Sequence, residues 1–386
     1  MNILKVGFIL FGLSAVSTKT GLDISVTLIS IGFVILCITE KKFFNTQVFA
    51  GLKEFLYLSV IFLSILLVST IFSYDIKNSV KRFIIILGYY GLFLGVLKLK
   101  NEKFIKNILR IIVMVSIIES LYTVTQYFFG FDFFSRKEIY KHCRSMGTLG
   151  YPNDLGFSFG IFLPFLISLF WNEKILKLKI FYLIGCIFMF VGLILTFTRG
   201  AWLSLIIAIF FMAIVREKKF LLILCIIIIS LVLLPFSRKR LIDTFQFKEN
   251  ARIFFLKHTP EFILKRPLFG WGLDSFNKVF YEKYPQIEAH FHPHNMYLNI
   301  AFQSGIFGFG TFLLIFYFLL KFFLHYLKIE QEFTRTVLWG CIGSIVYFLS
   351  HGFIDEPFRG YQCPYLLFFI IGLSFWYIGS KDKSSF

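Results

Sequence analysis

Charged residues are scarce in this sequence. Only 16% of its 386 residues are charged and 57% are hydrophobic, whereas an average soluble chain has about 25% charged and roughly 45–50% apolar residues. A soluble chain of this length has no interior large enough to hide so much apolar surface. The composition therefore excludes a cytosolic enzyme and a disordered tail, and it predicts a protein embedded in a lipid bilayer.

Cysteine motifs are also lacking. The six cysteines form no C-x-x-C pair, so neither a zinc site nor a redox dithiol is expected. Most of them lie in apolar runs and are interpreted as small hydrophobic residues. Cys143 and Cys363 lie near loops and could pair.

Acidic residues are few relative to basic ones. The chain has 22 Asp and Glu residues against 40 Lys and Arg residues, a formal net charge of +18. In a soluble protein this excess would suggest nucleic-acid binding. In a membrane protein it is explained by the enrichment of Lys and Arg in cytoplasmic loops, so no nucleic-acid partner is expected.

Long apolar runs dominate what is present. A membrane-spanning helix needs about 20 mostly apolar residues, and the N-terminal run, which lacks a signal-peptide cleavage site, is interpreted as the first span. We predict an all-α integral membrane protein with about twelve transmembrane helices. The predicted spans lie near residues 3–18, 22–39, 55–72, 80–97, 105–128, 155–171, 178–197, 201–215, 219–235, 296–324, 333–353 and 361–379.

The charge bias of the short loops predicts the orientation. With the N-terminus inside, the inner loops carry about 19 Lys and Arg residues and the outer loops about 10. Both termini are therefore expected in the cytoplasm. Membrane helices 1–9 would occupy residues 1–235 and helices 10–12 residues 296–386. Between them, residues 236–295 would form a long, partly helical extracytoplasmic loop, hereafter the outer loop.

Arg199 lies in a very short connection between two apolar runs. An arginine at a membrane boundary can simply extend its head group to the interface. The tight turn, however, holds this side chain near the helix bundle, and a planar guanidinium suits phosphate oxygens better than an ammonium does. Arg199 is therefore a candidate phosphate ligand, with the interfacial role as the alternative.

A histidine motif ends the outer loop, where His292-Pro-His294-Asn295 precedes an apolar run. Histidine can accept a proton near neutral pH, so His294 is a candidate general base. His292 or Asn295 could position it, and Asn295 could instead bind a sugar hydroxyl. One alternative is a metal site, which would need a third ligand such as His290 or a distant acid. The other is an inert interfacial pair.

Two of the arginines in the outer loop, Arg252 and Arg266, lie beside other polar or aromatic motifs. On this side of the membrane the charge bias gives no reason for them, so they are candidate anion ligands. Trp271 lies between Gly270 and Gly272, which permit a tight backbone near a ligand. Its ring could stack on a sugar or rest at the membrane interface.

Two further segments on the outer side hold polar residues. Arg144 precedes a span that begins near Asn153 and Asp154, and either of these could cap that helix or contact substrate. The later turn containing Asp355 and Glu356 is acidic, and its carboxylates could simply balance nearby arginines.

These motifs together resemble the O-antigen ligase and polymerase superfamily in order, spacing and sidedness, over about residues 140 to 360. The residues before that stretch match only as apolar spans. The motifs are Gly147-Thr148 with Pro152-Asn153, Thr198-Arg199-Gly200, Arg252 ahead of Pro267–Gly272, His294-Asn295 with Tyr297-Leu298, Gly305-Ile-Phe-Gly308, and His351 with Asp355 and Pro357.

The resemblance implies a glycosyltransferase of the bacterial inner membrane with its active site on the extracytoplasmic face. Its donor would be a glycan on undecaprenyl diphosphate. Its acceptor would be lipid A–core or a similar glycan for a ligase, or a second lipid-linked repeat unit for a polymerase. No cofactor or essential metal is implied.

The residues suit this chemistry. A sugar on a diphosphate already has a good leaving group, so the enzyme must deprotonate an acceptor hydroxyl and stabilise the departing diphosphate. We expect an inverting displacement with His294, Arg199 and Arg252 as catalytic residues. The residues expected to bind substrate are Arg266, Arg144, Asn295, His292, Trp271 and Asn153.

A transporter of lipid-linked glycans is the remaining alternative. Such a protein would carry basic residues deep in several spans and would show internal repeat symmetry. In this sequence the informative arginines cluster at one rim beside a histidine, and no repeat is visible. An enzyme is therefore favoured.

Overall fold

The computed structural model describes residues 2–40, 50–139, 144–215, 218, 220–233, 251–285, 292–328 and 332–381. Within these ranges the chain is almost entirely helical, as predicted. The helices are α1 (Asn2–Ser14), α2 (Lys19–Thr39), α3 (Ala50–Ile71), α4 (Ile76–Leu97), α5 (Glu102–Phe129), α6 (Pro152–Asn172), α7 (Leu176–Leu195), α8 (Arg199–Val215), α9 (Phe220–Leu233), α10 (Ala251–Lys265), α11 (Phe276–Lys283), α12 (Met296–Tyr326), α13 (Glu332–Gly352) and α14 (Gln362–Lys381). A two-stranded antiparallel sheet, β1 (Phe131–Asp132) with β2 (Lys137–Glu138), follows α5.

Each predicted span coincides with a helix. Nine of the described helices are long and apolar enough to cross a membrane. The apolar helices α1, α8 and α9 are shorter, with 13, 17 and 14 residues. The all-α membrane architecture is therefore confirmed.

Several helices begin where a polar side chain can cap the free backbone N–H groups of the first turn. Asn101 accepts a hydrogen bond from the N–H of Phe104 at 3.2 Å, and Asn295 accepts one from Leu298 at 3.0 Å. Gly130 ends α5 in the left-handed conformation, with φ of 66°, which glycine adopts at little cost. These residues interrupt the apolar runs at the membrane boundaries.

Helices α6, α13 and α14 form the most buried part of the bundle. Close packing between α6 and α13 depends on glycine. A methyl group at Gly160 would overlap the ring of Tyr347, and one at Gly340 would overlap Phe165. Small residues at such crossings let helix backbones approach closely in a membrane. The polar turn that joins α13 to α14 is therefore attached to the most buried helices of the bundle.

The described part of the outer loop, residues 251–285, is hereafter called the cap. It consists of α10, α11 and the connection between them. Aromatic side chains give it a core of its own, which it shares with Phe302 of α12. The buried members are Phe255, Phe262, Phe276, Val279, Phe280 and Phe302. The prediction of a partly helical segment is confirmed for these residues, whereas 236–250 and 286–291 lie outside the described residues.

Helix α12 is kinked at Gly305, whose φ is 64° and ψ −167°. The cap connection enters this kink and takes the hydrogen bonds that the interrupted helix leaves open. Trp271 N donates to Phe302 O at 2.9 Å, and Gly272 N donates to Gln303 O at 3.0 Å. The N–H of Ile306 in turn donates to Pro267 O at 2.7 Å. Cap and helix are therefore joined through backbone as well as through aromatic packing.

Candidate functional site

Four segments far apart in the sequence meet at the carboxylate of Asp355, in the turn between α13 and α14. Asp355 is buried. Its Oδ1 accepts hydrogen bonds from His294 Nδ1 and from the N–H of Glu356, both at 3.0 Å. Its Oδ2 accepts one from Asn153 Nδ2 at 3.1 Å, and Arg252 Nη2 lies 3.8 Å from the same oxygen. Together with Arg144, described below, these residues form the Asp355 network.

The turn before α12 holds His294 in place. His294 has a φ of 52°, a left-handed conformation that costs a non-glycine residue about 1 kcal/mol or more and clusters at functional sites. Its N–H donates to His292 Nδ1 at 3.2 Å. Asn295 caps α12 through Oδ1 and donates through Nδ2 to Phe353 O at 3.2 Å. Asn295 thus binds the Asp355 turn to the histidine turn.

Arg144 forms the next layer of the Asp355 network. One guanidinium nitrogen donates to Asn153 Oδ1 and also reaches Thr198 Oγ1 at 3.2 Å. The Nε atom donates to Thr196 O at 3.0 Å. Arg144 therefore links the start of α6 to the tight turn before α8. A guanidinium with these contacts supports Asn153, which in turn contacts Asp355.

The predicted capping role of Asn153 or Asp154 is wrong. Helix α6 begins at Pro152, before both residues, and its N-cap residue is Tyr151. The side chain of Tyr151 makes no capping hydrogen bond. Proline suits this position because its missing N–H would be unpaired there anyway. The side chains of Asn153 and Asp154 are consequently available for tertiary contacts, to Asp355 and to Lys19 at 2.8 Å respectively.

Arg199 is the first residue of α8 and is partly buried. It follows Thr198, which contacts both Arg144 and Asn153. The next residue, Gly200, packs against His351 and Ile354, close to Asp355 in the chain. The structure therefore brings the Arg199 backbone beside the Asp355 network, and its role as a phosphate ligand stays a prediction.

Two supporting residues escaped the sequence analysis. Gln126 accepts hydrogen bonds from the N–H groups of Met146 and Gly147, at 3.1 and 2.8 Å, and donates to Gly147 O. Glu119, on the same face of α5 and two turns earlier, accepts from the N–H and hydroxyl of Thr148. They hold the segment that carries Arg144. The available signal was two polar residues seven positions apart in an apolar helix, since intramembrane polar residues are seldom incidental.

Arg266 and Trp271 lie in a second group. The guanidinium of Arg266 stacks over the Trp271 ring at 4.4 Å and donates to Phe72 O at 3.2 Å. Trp271 Nε1 donates to Phe262 O at 2.8 Å. These contacts hold the cap together, join it to Phe72 just after α3, and do not reach the Asp355 network. A ligand role for either residue stays a prediction.

The glycines beside Trp271 have a protein partner. Gly270 and Gly272 have φ values of 72° and 103°, which strongly favour glycine. A methyl group added at Gly270 would lie 2.5 Å from the backbone of Gln303. The tight backbone that the sequence analysis associated with a ligand is used to enter the kink of α12.

A polar cavity of about 740 Å³ opens beside the Asp355 network, between the start of α6, helices α2 and α4, and the cap. Basic and acidic side chains line it in equal number. The basic ones are Lys19, Lys81, Arg82, Lys278 and Arg359, and the acidic ones are Asp75, Asp154, Asp274, Asp355 and Glu356. His292 also lines the cavity. Several charges are paired across the wall, for example Arg359 with Asp274 at 3.1 Å.

Burial shifts the proton affinities of three groups in this region. It lowers the pKa of His292 to about 3, so this imidazole is neutral at physiological pH. It raises the pKa of Glu356 to about 8. At Asp355 burial acts in the same upward direction, but the hydrogen bond from His294 and the nearby imidazoles outweigh it and hold the pKa below its ordinary value. Asp355 is therefore the anion to which the network is built.

His292, His294 and Asp355 offer three ligand atoms within 4.8 Å of one another, so a metal ion could be held there. The third ligand that the sequence analysis asked for is thus Asp355. However, His292 Nδ1 already accepts from the His294 N–H, and His294 Nδ1 is bonded to Asp355. Both carboxylate oxygens also accept from Glu356 and Asn153. These bonds suit a proton-transferring pair, and a metal bound through the remaining lone pairs of the same side chains is the alternative.

The fold and the site define a multi-pass membrane protein with a buried carboxylate–histidine pair surrounded by arginines. Residues 184–313 match the family model described as O-antigen ligase. The match confirms the resemblance to this superfamily and implies an enzyme of the ligase or polymerase type. It covers Arg199, Arg252 and His294, whereas Asn153 and Asp355 lie outside it. No curated protein matches the chain.

Proposed function

We propose that the protein transfers a glycan from undecaprenyl diphosphate to a hydroxyl of an acceptor glycan, as an O-antigen ligase does. The observation that carries this proposal is the hydrogen bond of 3.0 Å between His294 and the buried Asp355. It is supported by the arginines nearby and by the family match over residues 184–313.

His294 acts as the general base. Its Nδ1–H donates to Asp355, which selects the tautomer whose Nε2 carries the lone pair. Asp355 then stabilises the imidazolium that forms when Nε2 takes the acceptor proton. Asn153 and the N–H of Glu356 hold the carboxylate in position. Base catalysis of this kind contributes about 10²–10⁴-fold to the rate.

The displacement is inverting. The acceptor oxygen loses its proton to His294 and forms a bond to the anomeric carbon of the donor sugar. The bond from that carbon to the diphosphate oxygen breaks, and undecaprenyl diphosphate leaves with both bonding electrons. The proton on His294 is then released to solvent or to the departing diphosphate, which restores the base.

Arginines stabilise the leaving diphosphate. Arg252 lies beside Asp355 with 46% of its side chain exposed, so it can reach a ligand while remaining close to the base. Arg199 begins α8 directly after Thr198, which contacts Arg144 and Asn153 of the network. Two guanidinium groups can bind phosphate oxygens in the bidentate manner that lysine cannot reproduce. Arg144 is hydrogen-bonded to Asn153 and Thr196 and thereby holds Asn153 in place beside Asp355.

The acceptor distinguishes a ligase from a polymerase. Both reactions need the same base and the same leaving-group ligands, and they differ only in whether the hydroxyl belongs to lipid A–core or to a second lipid-linked repeat unit. We adopt the ligase because the matching family carries that description. Polymerase activity is the alternative result of the test below.

The test is transfer by purified protein in proteoliposomes that contain lipid-linked glycan, with lipid A–core and lipid-linked repeat unit supplied as separate acceptors. We expect wild-type transfer to persist in EDTA and His294→Ala to be slower by about 10²–10⁴-fold. His325→Ala, at the other end of α12, is the matched control and should be unaffected. Near-normal transfer by His294→Ala would refute the base assignment. Loss of wild-type transfer in EDTA, restored by a divalent metal, would instead favour the metal site.

A further inference from the structure

The proposed reaction leaves the cavity of about 740 Å³ without a ligand. Its volume lies within the range of about 300–1,000 Å³ that is typical of small-molecule sites. The cavity adjoins the reacting pair, since Asp355 and His292 form part of its wall. A group bound there would lie against Asp355, the hydrogen-bond partner of the proposed base.

The wall lacks the large positive excess that a diphosphate site needs. Five basic side chains face four aspartates and the largely protonated Glu356, and Lys19 and Arg359 are already paired with Asp154 and Asp274. A diphosphate would need an excess of positive charge. Neither Arg199 nor Arg252, the proposed diphosphate ligands, belongs to the wall. A hydroxyl-rich, largely uncharged ligand fits this balance.

The wall also offers aromatic and amide side chains. Tyr151, Phe157 and Tyr361 line the cavity, as do Asn78 and Asn277. Ligand sites typically combine apolar or aromatic surfaces with a few polar groups that fix orientation. A sugar ring presents both an apolar face and hydroxyl groups, so it matches this combination.

One oxygen of a buried carboxyl group in the wall lacks a hydrogen-bond partner. Glu356 is 3% exposed, and its Oε2 has no hydrogen-bond partner among the described residues. An unsatisfied buried polar atom is destabilising, and a ligand can offset this by supplying the missing hydrogen bond. Because Glu356 lines the cavity and follows Asp355 directly in the chain, that ligand would be held close to the partner of the base.

We propose that the cavity binds a sugar unit of the acceptor glycan and that Glu356 hydrogen-bonds one of its hydroxyl groups, which makes Glu356 a residue that determines acceptor specificity. This inference rests on the proposed glycan transfer. The proposed function leaves the bound part of the acceptor open. This inference identifies that part by its chemistry, as a neutral saccharide unit.

The experiment measures the KM for acceptor and for donor separately, with whichever of lipid A–core and lipid-linked repeat unit supports wild-type transfer. Glu356→Leu removes the hydrogen bond at similar volume, and we expect it to raise the acceptor KM by about tenfold or more. Glu356→Gln keeps a donor and an acceptor and should stay within about threefold. The donor KM should not change in either variant. Glu138→Leu, on β2 and outside the cavity, is the matched control.

A second variant keeps the test informative if Glu356→Leu fails to fold. Asn277 lies on α11 with its side chain at the cavity wall, and Asn277→Trp would narrow the space. We expect this variant to raise the acceptor KM and to weaken inhibition by an acceptor oligosaccharide released from its lipid. The donor KM should again be unchanged.

The outcomes separate the two hypotheses. If wild-type protein transfers no glycan, the proposed function fails whatever the variants do. If wild-type transfer is normal and both variants keep the wild-type acceptor KM, only the cavity inference fails. If the variants raise the donor KM instead, the cavity holds the donor glycan, and the inference is overturned.

Discussion

The turn of His292–Asn295 and the connection of Lys265–Gly272 both carry predicted site residues but have different surroundings. Both lie on the predicted outer side and both contain a proline. At the first, polar side chains from four segments converge on the buried Asp355. At the second, Arg266 and Trp271 make their polar bonds to the carbonyl groups of Phe72 and Phe262.

This difference in bonding partners distinguishes candidate catalytic side chains from side chains that hold the fold together. A side chain bonded to another titratable side chain keeps its ability to exchange protons or bind ions. A side chain whose polar atoms are bonded to backbone carbonyls holds a segment in place. On this criterion the Asp355 network is the better candidate for catalysis, and the Lys265–Gly272 connection for attachment of the cap. The following variants test that division, in order of decreasing effect.

Asp355→Asn should have the largest effect, because an amide cannot stabilise the imidazolium of His294 and can bind the wrong tautomer. We expect kcat to fall by roughly 10²-fold while the protein still inserts. The measurement is single-turnover glycan transfer at equal protein level. Glu138→Gln, on β2 and outside the cavity, serves as control. A decrease in kcat of less than threefold would show that the His294–Asp355 pair has only a structural role.

The arginines should divide in the same way. Arg199→Ala and Arg252→Ala should each reduce kcat/KM for the donor by about 10–100-fold, the loss of a charge-assisted hydrogen bond of about 1.5–3 kcal/mol. Arg199→Lys should also be impaired. Arg266→Ala should lower thermal stability with little change in kcat. The comparison fails if Arg266→Ala loses transfer while Arg252→Ala retains it.

The attachment of the cap can be tested at Gly305. Alanine there must adopt a φ of 64° and would overlap the backbone of Leu268, so we expect a loss of about 1–2 kcal/mol or more. The readout is the midpoint of thermal unfolding in detergent. Gly310→Ala is the matched control on the same helix, since an added methyl group there meets nothing within 4 Å. Equal midpoints for the two variants would contradict a structural role of the kink.

The smallest effect is expected at His292. Burial lowers its pKa to about 3, so this imidazole stays neutral from pH 5 to 8 and cannot produce a titration in that interval. His292→Asn should keep the shape of the wild-type pH–rate profile and lower its height by only a few fold. An acidic limb that disappears in this variant would show that His292 titrates in the reaction.

Apolar runs predicted the helices well, because a segment that crosses lipid must be long and apolar. All its backbone N–H and C=O groups must also be hydrogen-bonded within the protein, as they are in a helix. The apolar runs could not predict the kink at Gly305, because a glycine inside an apolar run gives no sign of its φ. The start of α6 was predicted slightly too late, because Pro152 occupies the first turn and Tyr151 is the N-cap residue. Asn153 therefore lies inside the helix, and its side chain contacts Asp355 instead of capping.

The candidate base was visible in the sequence, but its partner was not. His294 stood out as a histidine at the predicted membrane boundary. Asp355 lies 61 residues further along the chain, and its turn could be explained by charge balance with nearby arginines. Only the packing of α12 against α13 brings the two together. Glu119 and Gln126 were hidden for the same reason, because their partners follow in a separate loop.

The position of Asp355 near the end of the chain also bears on how the protein is made. Ribosomes deliver a chain from its N-terminus, so Arg144, Asn153, Arg252 and His294 are all synthesised before the carboxylate they surround. A nascent chain that has inserted α12 but not α13 holds the histidine without its anion. The proposed base would therefore gain its partner only when α13 and the turn after it are in place.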